Sequence, residues 1–187
     1  MLAEHWITGK IFNFIENIQV MKKVFWAFAA TLSFLACQEN ESAKSEFTGN
    51  ETTYALQAGS TYNISGTVTF KEKVGGSTLA AINLTGTEGN LQHPVHLHLG
   101  EVSFDGAEVA ALLNPVLGKT GVSETIITKL EDETAITYEQ IIALQACVKV
   151  HLAAAGPERD IILAAGNIGS SKGVISGRLD IGVCKSE

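Results

Sequence analysis

The stretch His93-Pro94-Val95-His96-Leu97-His98-Leu99-Gly100 decides how the rest of the chain is read. Successive side chains of a β-strand point to opposite faces, so residues two apart share a side. His96 and His98 then lie on one face, and Val95, Leu97 and Leu99 point into a core. The same grammar returns in Val148-Lys149-Val150-His151-Leu152, where Val148, Val150 and Leu152 are core positions and His151 turns outward. If these two strands are close, three imidazoles converge on one outer surface. Imidazole nitrogen suits copper, zinc and nickel, and an all-nitrogen set favours copper on affinity. The expected metal ligands are therefore His96, His98 and His151, with copper or zinc as the ion. His93 is either a fourth ligand or merely a flank of Pro94. The plain alternative is three unrelated surface histidines. Against it stand the shared parity, the repeated apolar frame and the concentration of imidazoles in a chain with 5 histidines.

Working outward, alternation continues on both sides. Tyr62 to Phe70 puts Tyr62, Ile64, Val68 and Phe70 on one face, and Thr78 to Thr85 buries Ala80, Ile82 and Leu84. Gly75-Gly76 marks the turn between them. Val102 and Phe104 extend the sheet beyond the histidine strand, and Asp105-Gly106 turns it. Ala107 to Leu113 fits helix or strand and ends at Asn114-Pro115, and a further strand lies around Glu124–Thr128. Thr137 followed three residues later by Gln140 predicts a capped helix with Ile141, Ile142 and Leu144 as its apolar face. That helix leads directly into the Val148–Leu152 strand. Arg159 to Ala165 is one more strand, Gly166 to Gly173 a polar loop, and Val174 to Val183 the closing strand. About seven short strands with tight turns predict an all-β, antiparallel two-sheet sandwich of immunoglobulin-like type with one short helix.

The N-terminal part has another character. Lys22-Lys23, the apolar run Val24 to Ala36 and then Cys37 form a basic, apolar and small-residue series of signal-peptide type. The run is too short to span a bilayer comfortably. Phe34-Leu35-Ala36-Cys37 resembles a bacterial lipobox, which implies that Cys37 carries lipid after cleavage. Residues 1–20, with Glu4 and Glu16, fit no part of such a signal and read as an extension ahead of a true start at Met21. Residues 21–37 are thus the signal and lipobox, and polar residues 38–53 a flexible tether. Residues 54–187 form the folded domain. The expected location is the outer membrane or surface of a bacterium, with the lipid as the membrane contact.

With Cys37 assigned to lipid, Cys147 and Cys184 remain, an even pair in an exported protein. The expected outcome is a Cys147–Cys184 disulfide, with two free thiols, or one thiol acting as a metal ligand, as the alternatives. The formal charge of −7 and the absence of a basic cluster after the signal argue against nucleic acid as a partner. No catalytic constellation is visible: Ser170 and Ser171 have no neighbouring base, and Glu131-Asp132-Glu133 lacks the spaced ligands of a calcium loop.

The order of these pieces resembles the CHRD domain, named from chordin and found in bacterial exported proteins. The resemblance rests on His96-Leu97-His98, on Tyr138 to His151, and on Lys172 to Leu179, within Lys172-Gly173-Val174-Ile175-Ser176-Gly177-Arg178-Leu179. Leu99 intervenes where typical members place glycine directly after the second histidine, and Ala153 to Ser171 is longer than their Pro-Gly turn. Val95-His96-Leu97-His98 and Val150-His151 are also similar to the copper strands of Cu,Zn superoxide dismutase. No histidine lies between His98 and His151 to match that family's bridging and zinc ligands. These resemblances imply a sandwich of that general kind in an envelope lipoprotein. Its expected role is to bind an unidentified protein or small molecule, or a metal. The alternatives are a copper-only oxidoreductase acting on superoxide, and a metal-free structural or adhesive module.

Overall fold

The structure is a computed structural model that describes residues 45–171 together with 181 and 182. The signal, Cys37, Cys184 and most of the closing strand expected at Val174–Val183 lie outside the described residues. The fold is antiparallel β with one short helix. Its strands are β1 (Phe47–Ala58), β2 (Ser65–Lys73), β3 (Thr78–Thr85), β4 (Gln92–Leu99), β5 (Val109–Leu117), β6 (Val122–Ile127), β7 (Gln145–His151) and β8 (Ile162–Gly169). The helix, α1 (Tyr138–Ala143), precedes β7.

Hydrogen bonding runs without a break through the order β5-β4-β7-β8-β1-β2-β3-β6. The eight strands therefore make one sheet, nearly closed into a barrel, where two separate sheets were expected. β1 is the reason. Its Glu51–Leu56 segment pairs with β2, and Gln57 and Ala58 pair with Ala165 and Ala164 of β8, so one long strand serves both halves. Where β1 meets β8, the backbone carbonyl of Ala55 lies directly over Gly166, in space a Cβ would fill. That close approach explains a glycine in mid-strand. It also corrects the expected polar loop at Gly166, since Gly166 to Gly169 are the last residues of β8.

The two ends of the sheet, β5 and β6, approach each other through side chains. The Asn114 N–H donates to Thr125 Oγ1 at 2.7 Å and its Nδ2 to the Glu124 carbonyl at 2.6 Å. Ser123 Oγ donates to the Asn114 carbonyl at 2.6 Å. Pro115, next in β5, has no N–H to give a ladder, which suits it to a strand at this border. Asn114-Pro115 thus lies inside a strand that it was expected to end.

The first strand was hidden by its polarity. Phe47–Thr53 reads as tether, yet it is strand, held by pairs such as Thr53–Thr69 (2.8 Å between hydroxyl oxygens) and Lys71–Glu51 (3.2 Å). Only Tyr54 and Leu56 of this strand are buried. By contrast β3 spans the expected residues and buries Ala80, Ile82 and Leu84. Ser65 opens β2, leaving Tyr62 exposed before it. The helix has the expected double cap: Thr137 Oγ1 accepts from the Gln140 N–H at 3.4 Å, and Gln140 Oε1 accepts from the Thr137 N–H at 2.9 Å. Tyr138 and Ile141 are its buried side.

The core fills the barrel. Val95 and Leu97 from β4, Ala146, Val148 and Val150 from β7, and Val68, Phe70 and Ile82 from the far side all belong to one apolar cluster. Leu152 packs against it, partly buried. The expected inward parity of β4 and β7 therefore holds, except that Leu99 at the strand end is exposed. A second, smaller cluster of Val102, Cys147, Ile162 and Ala165, with Ile181 against it, lies on the other face of β7 and β8. Val102 and Phe104 do not extend the sheet. They belong to the segment after β4, where Val102 is buried and Phe104 is 60% exposed.

Candidate metal centre

β4 and β7 are direct antiparallel neighbours. Val95 pairs with Val150, His96 with Lys149, Leu97 with Val148 and His98 with Cys147. Because the apolar pairs turn into the barrel, His96, His98, Cys147 and Lys149 share the opposite face. His151, at the end of β7, keeps the same parity. The three imidazoles converge there: ring centroids lie 4.7 Å apart for His96–His151, 5.6 Å for His96–His98 and 6.2 Å for His98–His151. One ligand nitrogen from each ring lies within 4.8 Å of the others.

Three register shifts lie near these ligands, one of them between His93 and Val95 just ahead of His96. The β4–β5 pairing shifts between Leu97 and His98, so that Ala110 and Ala111 are both buried across from it. The β7–β8 pairing shifts between Val150 and His151, leaving Leu163 as the extra residue between Ile162 and Ala164. A bulge adds local twist and re-aims nearby side chains. Here one sits beside each of the two most buried imidazoles.

The expected outer face is not open to water. His98 is 0% exposed and His151 2%, while His96 is half-buried. The chain after β4 and the Ile181–Gly182 segment lie over this side. The Gly182 N–H donates to the Val102 carbonyl at 3.0 Å, and Lys149 Nζ donates to the Gly182 carbonyl at 2.7 Å. Strand alternation assigns a side chain to a face, but it carries no information about what covers that face. This is why the sequence placed the imidazoles on a solvent surface.

Backbone carbonyls fix the two buried rings. His98 Nδ1 donates to the Ala107 carbonyl at 3.1 Å, and His151 Nδ1 donates to the Arg159 carbonyl at 2.8 Å. Since a carbonyl only accepts, each ring is the tautomer with its proton on Nδ1 and its lone pair on Nε2, the form a metal takes. Burial holds all three imidazoles neutral. It lowers His96 to about 4, helped by the neighbouring His151, His98 and Arg159 charges. It lowers His98 to about 4 against the opposing pull of the Ala107 carbonyl. His151 is lowered as well, by burial first, with the Arg159 carbonyl opposing.

Three neutral nitrogens from adjacent strands can hold a metal ion. Bonds of about 2.0–2.1 Å hold ligand atoms no more than about 4.2 Å apart, close to the 4.8 Å within which these nitrogens lie. His96, half-buried, is the least enclosed of the three rings.

The remaining candidates are placed differently. His93 is buried and its Nδ1 donates to the Leu152 carbonyl at 3.1 Å. It ties β4 to the end of β7 and stands apart from the ligand group, which does not meet the expectation of a fourth ligand. Cys147 is fully buried in the second apolar cluster, facing the side of the sheet that parity gave it. No disulfide occurs among the described residues, and Cys184 lies outside them. Lys149 is the residue that sequence reasoning missed. Its place in Val-x-Val parity put it on the histidine face, but a lysine there reads as solvated surface. Comparison with protein-family models finds no match for the chain, and neither does comparison with curated protein sequences.

Proposed function

We propose that the protein is an exported, lipid-anchored module of the bacterial envelope whose β-domain binds a copper-type metal ion through His96, His98 and His151. One observation carries the metal reading: three imidazoles from β4 and β7 offer nitrogens within 4.8 Å of one another. Their neutral state and the carbonyl bonds at His98 and His151 support it, because both prepare a ring to ligate. A set of imidazoles alone favours copper among the common ions. Export and lipidation are supported by Phe34-Leu35-Ala36-Cys37 after its basic and apolar run. The order of the histidine strands, the capped helix and the Lys172–Leu179 segment supports a CHRD-like domain, with the barrel read as a flattened sandwich.

The experiment is a metal titration of purified protein, followed by elemental analysis after dialysis, beside His96→Ala. The half-buried His96 can be truncated without opening the core. The expected result is a single retained copper ion per chain that His96→Ala loses. Retention of copper by that variant, or none in the parent, would remove the site. For the anchor, Cys37→Ser should abolish labelling by a fatty-acid analogue and release the protein from the membrane fraction. Unchanged fractionation would sink the lipoprotein reading.

A further inference from the structure

We infer that the tri-histidine site selects a monovalent soft cation, Cu(I) or its analogue Ag(I), over divalent ions, and that Lys149 sets this selectivity. The inference rests on the reading of His96, His98 and His151 as metal ligands.

The ligand set comes first. Among the described residues its members are three imidazoles, with neither carboxylate nor thiolate in the group. A divalent ion held by them keeps its full double charge, and the cost of taking an ion out of water grows with the square of its charge. Divalent ions of this row also ask for at least a fourth donor. His98 and His151 are enclosed, so a fourth donor would have to enter beside His96. A soft monovalent ion is satisfied by two or three nitrogens and leaves half the charge.

Lys149 adds a second, independent reason. It lies between Cys147 and His151 on the histidine face and directly opposite His96 in the β4–β7 pairing. Cross-strand partners of this kind have Cβ atoms about 4.5–5.5 Å apart. Lysine is almost never fully buried, yet Lys149 is, and its Nζ donates to the Gly182 carbonyl at 2.7 Å. Among the described residues its contact is this carbonyl dipole and no carboxylate forms an ion pair with it. Asp160, the acid whose charge reaches His151, is largely exposed and bound to Arg159 at 3.4 Å. A cation enclosed on this face, with its charge acting on His98 and His151, repels a divalent ion twice as strongly as a monovalent one. Affinity order among divalent ions would by itself put Cu(II) first; the charge around this site reverses the preference toward Cu(I).

The test uses the full chain in metal-free buffer, titrated with Ag(I) and Zn(II), and with Cu(I) against a competing chelator. Ag(I) and Cu(I) are expected to bind about a hundredfold or more tightly than Zn(II), since a small difference in site charge is amplified at low effective dielectric. Lys149→Met removes the charge at similar volume, and Lys149→Gln also keeps a donor for the Gly182 carbonyl. If one unit of charge is worth a factor of about ten, Ag(I) should tighten by about tenfold and Zn(II) by the square of that. The preference should therefore narrow by about tenfold in both variants. A structural role for Lys149 would move both affinities together and leave the ratio alone. Zn(II) binding as tightly as Ag(I) in the parent, or an unchanged ratio in a folded Lys149 variant, overturns the inference while the metal site stands. Binding of neither ion, or binding that survives His96→Ala, removes the site itself and the inference with it.

Discussion

On β2, β3 and β6 the residues turned away from the core, Thr67, Thr69, Lys71, Asn83, Glu124 and Ile126, are partly or wholly open to solvent. On β4, β7 and β8 the equivalent face is closed over, and His98, Cys147, Lys149, Ile162 and Ala165 are all buried. One sheet thus has a half with one wet face and a half in which that face is largely covered, with His96 left half-buried. In the wet half, polar side chains need no particular partner, and ordinary alternation of polar and apolar residues suffices. In the covered half every polar atom must be answered, because an unanswered one costs about 1–3 kcal/mol. The answers are visible: Ala107 and Arg159 carbonyls for two imidazoles, and the Gly182 carbonyl for Lys149. Chemistry concentrates where the protein has spent stability to remove water.

The largest way to break this contrast is through the shared core. Leu97→Ala, on the inner face of the histidine strand, should cost about 2–5 kcal/mol by denaturant unfolding, because a fully buried leucine leaves a cavity. A cost near zero would mean that the covered half is not packed as described. Next in size is His98→Ala, expected to lose about 1–3 kcal/mol in metal-free protein by leaving the Ala107 carbonyl unanswered. It should also abolish retained metal in the same dialysis assay.

Smaller, and confined to the covered half, is a dependence on pH. The imidazoles of His96 and His98 are depressed from 6.5 to about 4 in the fold. Between those values the unfolded chain binds protons that the folded chain does not, so stability rises with pH across this window. Metal-free protein should therefore hold its full stability above about pH 6.5 and lose part of it on acidification toward pH 4, read from unfolding midpoints. A His96→Ala variant should show a shallower fall; a fall as steep as the parent's would place the titration elsewhere. The smallest effect belongs to the wet half. Thr69→Ala removes a hydroxyl pair with Thr53 at 2.8 Å and should cost about 0.2–1 kcal/mol, with metal retention unchanged.

The covered half was also the more legible in sequence where apolar parity is concerned. Val95, Leu97, Val148 and Val150 announce the core, and the register they impose brings His96, His98 and His151 onto one face. Thr137 and Gln140 announce the helix that feeds β7 because a capping box is local chemistry. What stayed hidden depends on distant chain. The cover over the histidines comes from Ile181–Gly182, far from either strand in sequence, closing on Val102 just past the end of β4. The shifts beside His98 and His151 are properties of pairs of strands, so no single strand carries them. β1 escaped because its first half is polar on both faces, and Gly166 read as loop because only the crossing backbone of Ala55 explains it.

The meeting of β5 with β6 has a consequence for how the molecule behaves among copies of itself. A sheet whose end strands stay apart offers two rows of backbone groups to any neighbouring chain, and edge-to-edge association follows readily from such rows. Here Asn114 uses its amide nitrogen, side-chain nitrogen and carbonyl to occupy those groups, and Pro115 withholds the next donor. A single asparagine–proline step therefore works as a clasp, drawing the two end strands toward each other and withholding some of their backbone groups from edge-to-edge pairing without requiring the ring of strands to be complete.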